Sequence, residues 1–136
     1  MIRKIVKGEE IFKKAEPAGK SDLSTATDLE DTLRANRDIC VGLAANMIGV
    51  NKRIISVVAG PMVFTMLNPR LVKKFGGTYE VSEGCLSLDG ERTATRFNDI
   101  EVEYFDTEFK KQRQKFSGYA AQVIQHEIDH CDGKII

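Results

Sequence analysis

In 136 residues the chain has two histidines, three cysteines, three prolines and no tryptophan. It also lacks charge imbalance: Lys plus Arg and Asp plus Glu number 20 each, so the net charge is zero. Global charge thus gives no case for a nucleic acid or an anionic membrane, and neither is expected as a specific partner. No segment approaches transmembrane length. The opening MIRKIVKGEEIFKK has no apolar stretch long enough for a signal peptide. Cys40, Cys85 and Cys131 are an odd set without the spacing of a small secreted disulfide framework. A reducing cytoplasm is the expected location. There is no internal repeat and no low-complexity segment. The glycines of VGLAANMIG lack the Lys-Ser/Thr ending of a phosphate loop. What is present is globular: 42% hydrophobic and 29% charged residues, over a length that suits one domain spanning 1–136.

The first twenty-odd residues read as irregular and polar. Ser24 or Thr25 is placed to cap a helix from about Thr27 to Asn36, with Leu29 and Leu33 on its apolar face. From residue 53 the rhythm becomes strand-like. RIISVVAG and MVFTMLNP flank Gly60-Pro61, a hairpin signal. RLVKKF and TYEVSEG follow, with Gly76-Gly77 expected as a turn between them. RTATRF, DIEVEYFD and QRQKFSG continue the alternation. Met62, Phe64 and Met66 look like core residues. A last helix is expected from near Ser117 to about Cys131, closing at Gly133. Strands in succession with helices set apart argue α+β, antiparallel strands packed around a C-terminal helix.

Both histidines lie in that helix, in QHEIDHCDGKII. His126 and His130 are four apart, so their imidazoles share one helix face and can meet a single ion. Glu127 lies beside them, placed to take a proton from a water near that ion. Asp129 and nearby backbone groups are candidates to orient the outer imidazole nitrogens. A four-coordinate catalytic metal asks for a third protein ligand. Cys131 and Asp132 sit too close along the helix to turn onto that face. The ligand is therefore sought upstream, from Cys, Asp or Glu. Cys85, in SEGCLSL at a strand end, is well placed to present a thiolate. Cys40, in ICVGLAA, reads better as a small hydrophobe.

VGLAANMIGV, EGCLSL and QHEIDHCDG, in that order, resemble the three signature motifs of the peptide deformylases. TDLEDTLRANRDICVGLAA resembles that family's first helix and its approach to the first motif. The likeness runs from about Ser21 onward. It implies a metal-dependent hydrolase that removes the formyl group from the initiator methionine of nascent chains. It implies one divalent metal, Fe(II) in the cell with Ni, Zn or Co as substitutes, held by Cys85, His126 and His130. Glu127 then matches the general acid/base, and the backbone N–H of Leu86 a donor to the oxyanion. Val41, Gly42, Met47, Glu83, Gly84 and Val123 fall at positions that shape the methionine pocket and peptide groove. Glu83 is expected to pair with Arg92 or Arg96.

The chain departs from the family pattern at several positions. Met47 replaces a glutamine that donates to the reacting oxygen, and a thioether cannot donate. Neighbouring Asn46 has an amide of unspecified direction. Cys40 stands for a glycine, Asp89 for a proline and Cys131 for a leucine. The sequence stops soon after the third motif, so a C-terminal ribosome-docking tail is not expected. Met47 keeps two alternatives open: a metal- and peptide-binding protein with weak or no turnover, and a metalloamidase for another N-acyl group. The basic run FKKQRQKF, residues 109–116, suggests transient contact with the ribosome, against the plainer reading of a hairpin with its charges in water.

Overall fold

The computed structural model describes residues 1–136. Its frame is one antiparallel sheet of five strands in sequence order: β1 (Gly42–Ala44), β2 (Ile54–Ala59), β3 (Met62–Cys85), β4 (Leu88–Phe105) and β5 (Lys111–Ser117). Two helices complete it, α1 (Leu23–Ala35) and α2 (Gly118–Cys131). The α+β arrangement matches the sequence expectation. One apolar cluster draws on every strand, both helices and the N-terminal segment.

Helix α1 buries Ala26, Leu29 and Leu33, spaced at three and four residues on one face. It begins earlier than expected. Asp22 is the residue before it, and Ser24 and Thr25 lie inside the helix rather than capping it. The Asp22 carboxylate instead accepts from Gly19 N at 2.8 Å, closing the preceding turn.

The turn at Gly60-Pro61 is present, with Ala59 paired to Met62. Met66 is fully buried there, but Met62 is 56% exposed beside the turn rather than in the core. Gly76-Gly77 do not reverse the chain. They form a bulge, two residues against Asn98, between the Phe75–Asp99 and Thr78–Phe97 pairs. Asn98 Nδ2 donates to Gly76 O at 2.7 Å and satisfies a carbonyl that the bulge removes from the ladder. Segments that read as separate strands are therefore one long two-stranded arm.

Beyond this bulge the far half of the arm docks on α2. Gln125 acts there as a strand partner: its Oε1 accepts from Phe97 N and its Nε2 donates to Phe97 O, both at 2.9 Å. Tyr79 Oη donates to Gln122 Oε1 at 3.1 Å. The docking carries the hairpin tip, with Cys85, back over the helix that holds both histidines.

The N-terminal segment is more than a polar leader. Phe12, Ala15 and Ala18 are buried. Val6 N donates to Met47 O at 2.8 Å, Gly8 N to Ser87 O at 2.9 Å and Ala15 N to Cys131 O at 2.8 Å. This strap ties together the three stretches singled out in the sequence. No helix is long and apolar enough to cross a membrane.

The basic run lies in β5 and the turn before it, mostly exposed. Lys111 pairs with Glu103 at 3.4 Å and Arg113 with Glu101, across β4. The plainer reading of a solvated, cross-paired strand fits these contacts.

Candidate metal centre and active-site cleft

Helix α2 is apolar enough to be buried and long enough to stack two histidines. Its buried face includes Ala121, Ile124 and Ile128, and beside them Gln125, His126, Glu127 and His130. The helix ends on Gly133 at φ 82°. Gly133 N donates to His130 O at 3.0 Å and Lys134 N to Asp129 O at 2.9 Å, a Schellman closure. A Cβ at Gly133 would lie 2.9 Å from Lys14 N, so the strap also needs glycine there. The closure folds the Lys134 carbonyl back over the last turn. There it meets His130 Nδ1 at 3.2 Å.

His126 Nδ1 faces Glu83 Oε1 at 2.7 Å. With both Nδ1 atoms engaged, the two Nε2 atoms turn toward each other, 3.0 Å apart. Phe12 stacks on the His130 ring, centroids 4.2 Å apart. The ligand atoms of Cys85, His126 and His130 all lie within 4.8 Å of one another. One soft sulfur and two imidazole nitrogens form a donor set that suits a first-row divalent ion. Each imidazole already has an outer hydrogen-bond partner that fixes its direction, as metal-binding histidines usually do. The donor atoms present therefore fit a metal ion.

Asp129 does not orient an imidazole directly. It binds Arg96 Nη1 at 2.6 Å, and Arg96 in turn holds Glu83 through Nε and Nη2. The chain Asp129–Arg96–Glu83–His126 is a buried charge relay of position, not of protons. Burial alone would raise the Glu83 pKa, but hydrogen bonds from His126 and Arg96 outweigh it and hold it down at about 2. Of the two arginines considered for Glu83, Arg96 is the partner, while Arg92 Nη1 donates to Asp89 O. The Glu83 carboxylate is thus engaged by Arg96 and His126. Arg96→Ala should destabilise the fold by about 3–5 kcal/mol, because it leaves buried carboxylates without their cation. Urea denaturation measures this. Arg96→Met, which keeps the volume but not the charge, should be nearly as severe.

Burial raises the pKa of Glu127 to about 7. One of its oxygens, Oε1, is buried without a protein hydrogen-bond partner. A cation beside it would draw that pKa back down. Strand β1 passes close by: a Cβ on Gly42 would lie 2.7 Å from Val123 Cγ1 and 2.9 Å from Glu127 Oε2. Gly42→Ala must therefore push Val123 or Glu127 aside. We expect kcat/KM to fall by about tenfold to a hundredfold, with a smaller change in stability. Paired kinetic and denaturation measurements separate the two effects.

These groups open onto a cleft of about 700 Å³. Val41, Gly42, Met47, Glu83, Gly84, Leu86 and Val123 all line it, with Cys85, His126 and Glu127. Leu86 and Ser87 make the two-residue turn between β3 and β4, closed by the Cys85–Leu88 pair. Cys40 also lines the cleft rather than packing wholly in the core. Its thiol donates to Gly42 O at 2.9 Å, and burial pushes its pKa up to about 12. Cys131 is buried at the helix end, as a structural cysteine. Ile39, Glu91, Tyr119 and Gln122 also line the cleft and were not singled out in the sequence. The strap's Phe12 was also missed, although it is the lone aromatic in a polar stretch.

A family profile described as polypeptide deformylase matches residues 2–136. A peptide deformylase of Clostridium beijerinckii is 51% identical over 138 residues, covering 100% of both chains. One of Pelotomaculum thermopropionicum is 46% identical over 94 residues, 68% of this chain and 60% of that one. Among solved structures, the Met-Ala-Ser-bound class I type b peptide deformylase of Acinetobacter baumannii superposes with a TM-score of 0.86. It is 26% identical, over 98% of this chain and 96% of that one. With the profile spanning all but the first residue and half of the positions shared with a full-length relative, this chain belongs to the polypeptide deformylase family.

Proposed function

We propose that the chain, acting as one domain over 1–136, is a cytoplasmic metal-dependent hydrolase. It removes the N-formyl group from the initiator methionine of nascent polypeptides and releases formate. The observation that carries this is the convergence of Cys85, His126 and His130 beside the unpartnered Glu127 Oε1. Family membership supplies the chemical class.

Cys85, His126 and His130 would hold the metal, with Fe(II) the ion proposed for the cell and Ni, Zn or Co suited to the same donors. A divalent cation held there would supply Lewis acidity toward a water and the formyl oxygen near neutral pH. Glu127 takes the proton of the attacking water. The Leu86 N–H donates to the developing oxyanion. Glu127 then returns the proton to the leaving amine, and formate departs. The side chains of Glu83, Arg96 and Asp129 hold His126 in position and do not touch substrate.

Val41, Met47 and Val123 receive the methionine side chain, with Gly42 and Gly84 letting the backbone approach. Glu83 contributes its main chain. Residues 78–85 of β3 pair only with β4, while β2 pairs with Met62–Leu67. The other backbone edge of Val81–Gly84 is free to take an extended peptide as an added strand. The tripeptide named in the Acinetobacter structure is a ligand of that size. Any ribosome contact through β5 is a transient encounter, since its cations are partly engaged by Glu101 and Glu103.

A panel of formyl-, acetyl- and longer acyl-Met-Ala-Ser peptides, read by release of the free amine, tests the assignment. Formyl turnover far above the others is expected. Preference for a bulkier acyl group would favour the amidase alternative.

A further inference from the structure

The two imidazoles of the metal centre are held unequally. His126 Nδ1 meets a buried carboxylate, Glu83 Oε1, at 2.7 Å, and Arg96 grips that carboxylate in turn. His130 Nδ1 meets only a backbone carbonyl, that of the exposed Lys134, at 3.2 Å. One hydrogen bond of that length sets where a ring nitrogen points but leaves the ring free to tilt about the bond. The missing constraint comes from the strap. The Phe12 ring lies on the His130 ring with 24° between their planes, while the His126 ring meets it at 88°. His130 is fully buried and Phe12 is 6% exposed.

Phe12 is itself fixed on both sides. Before it, Gly8 N donates to Ser87 O, two residues past Cys85. After it, Ala15 N donates to Cys131 O, next to His130, and Lys14 bridges to Asp132. The strap thus joins the turn that follows the sulfur donor to the helix end that carries a nitrogen donor, and Phe12 sits between those anchors. Cys85 and His126 line the cleft, whereas His130 and Phe12 do not. Phe12 therefore backs the donor group on the side away from the cleft. Any apolar side chain of similar size would fill that space. A flat face against an imidazole does more, because it restricts the ring plane and with it the line along which Nε2 meets an ion.

We propose that Phe12 is a positioning residue of the metal centre, its ring fixing the plane of His130 so that Nε2 is aimed at an ion shared with His126 and Cys85. Phe12 touches neither ion nor substrate. The proposal rests on the metal-dependent reading of the site. The test uses the full chain loaded with one Co(II), unmodified, as Phe12→Leu, and as Leu33→Val, a change in the buried face of α1 with a comparable cost in stability. Two properties are read: the visible ligand-field absorption of bound cobalt, which reports coordination geometry, and the rate at which a chelator removes the ion.

Phe12→Leu should shift the ligand-field bands and speed removal by about tenfold. The thiolate-to-cobalt charge-transfer band, the mark of Cys85, should remain. Leu33→Val should match the unmodified protein in both properties. Ligand-field bands unchanged in Phe12→Leu overturn the proposal, whatever the rate. So does an equal change in Leu33→Val. Should Phe12→Leu not fold, Phe12→Met, which keeps the volume without a flat face, is read in the same way. Unmodified protein that takes up no cobalt counts against the metal centre itself and ends the proposal with it. Bound cobalt that is indifferent to Phe12 overturns only the positioning role.

Discussion

Replacing Glu127 with glutamine will lower kcat/KM for a formyl-methionyl peptide by about a hundredfold to ten-thousandfold, with bound metal retained. Glutamine fills the same space but cannot accept a proton in the attack or return it to the amine. The site is suited to this separation of roles. Glu127 projects beside the ligand group and is not part of it, and its Oε1 has no protein partner to lose. Its surroundings also tune it, since burial lifts the carboxyl toward neutrality and a bound cation lowers it again. The measurement is steady-state kinetics beside metal analysis of the same preparation. Retained activity would move the proton transfer to another group. Loss of metal would make Glu127 a ligand and overturn the role given to it here.

The second large effect runs the other way. Met47→Gln should raise kcat by about tenfold to a thousandfold, with metal content unchanged and KM little altered. Met47 is 1% exposed and lines the cleft. Its sulfur sits 3.5 Å from Ala44 N, as an acceptor. The neighbouring amide offers no substitute: Asn46 Nδ2 donates to His130 O at 2.9 Å, tying the first motif to the end of α2. No side-chain donor from this stretch is left for the oxyanion. Removing one oxyanion donor from a hydrolase costs on the order of a hundredfold to a thousandfold in kcat. Restoring it should recover part of that, because glutamine has nearly the volume of methionine and an amide that can donate. An unchanged kcat would mean that the metal and the Leu86 N–H suffice, and that Met47 is neutral for the chemistry.

Local periodicity made the centre of this site legible. Two histidines four apart on an apolar helix must share a face. A cysteine at a strand end, after a glycine, is poised at a cleft. The structure brings those three donors together. Less legible were contacts whose partners are distant in the chain and whose logic is hydrogen bonding rather than patterning. Gly76-Gly77 reads as a turn until Asn98 is seen to satisfy the bulge. Gln125 looks like a helix filler until it pairs with Phe97 on the arm. Arg92 and Arg96 are alike in the sequence, and only the register, with Asp129 on the next helix turn from Gln125, selects Arg96. The strap was read as polar because its few buried residues, Phe12, Ala15 and Ala18, are outnumbered by charged neighbours and lie outside any helix or strand.

The central claim is that this cleft hydrolyses the formyl amide by means of the metal held at Cys85, His126 and His130. The most direct test is formate release from formyl-Met-Ala-Ser by protein carrying one Fe(II) per chain, prepared anaerobically, or one Ni(II). Formate should appear with each peptide consumed, vanish on chelation and return on reloading. Metal-replete protein that releases no formate, as isolated and as Met47→Gln, would contradict the claim.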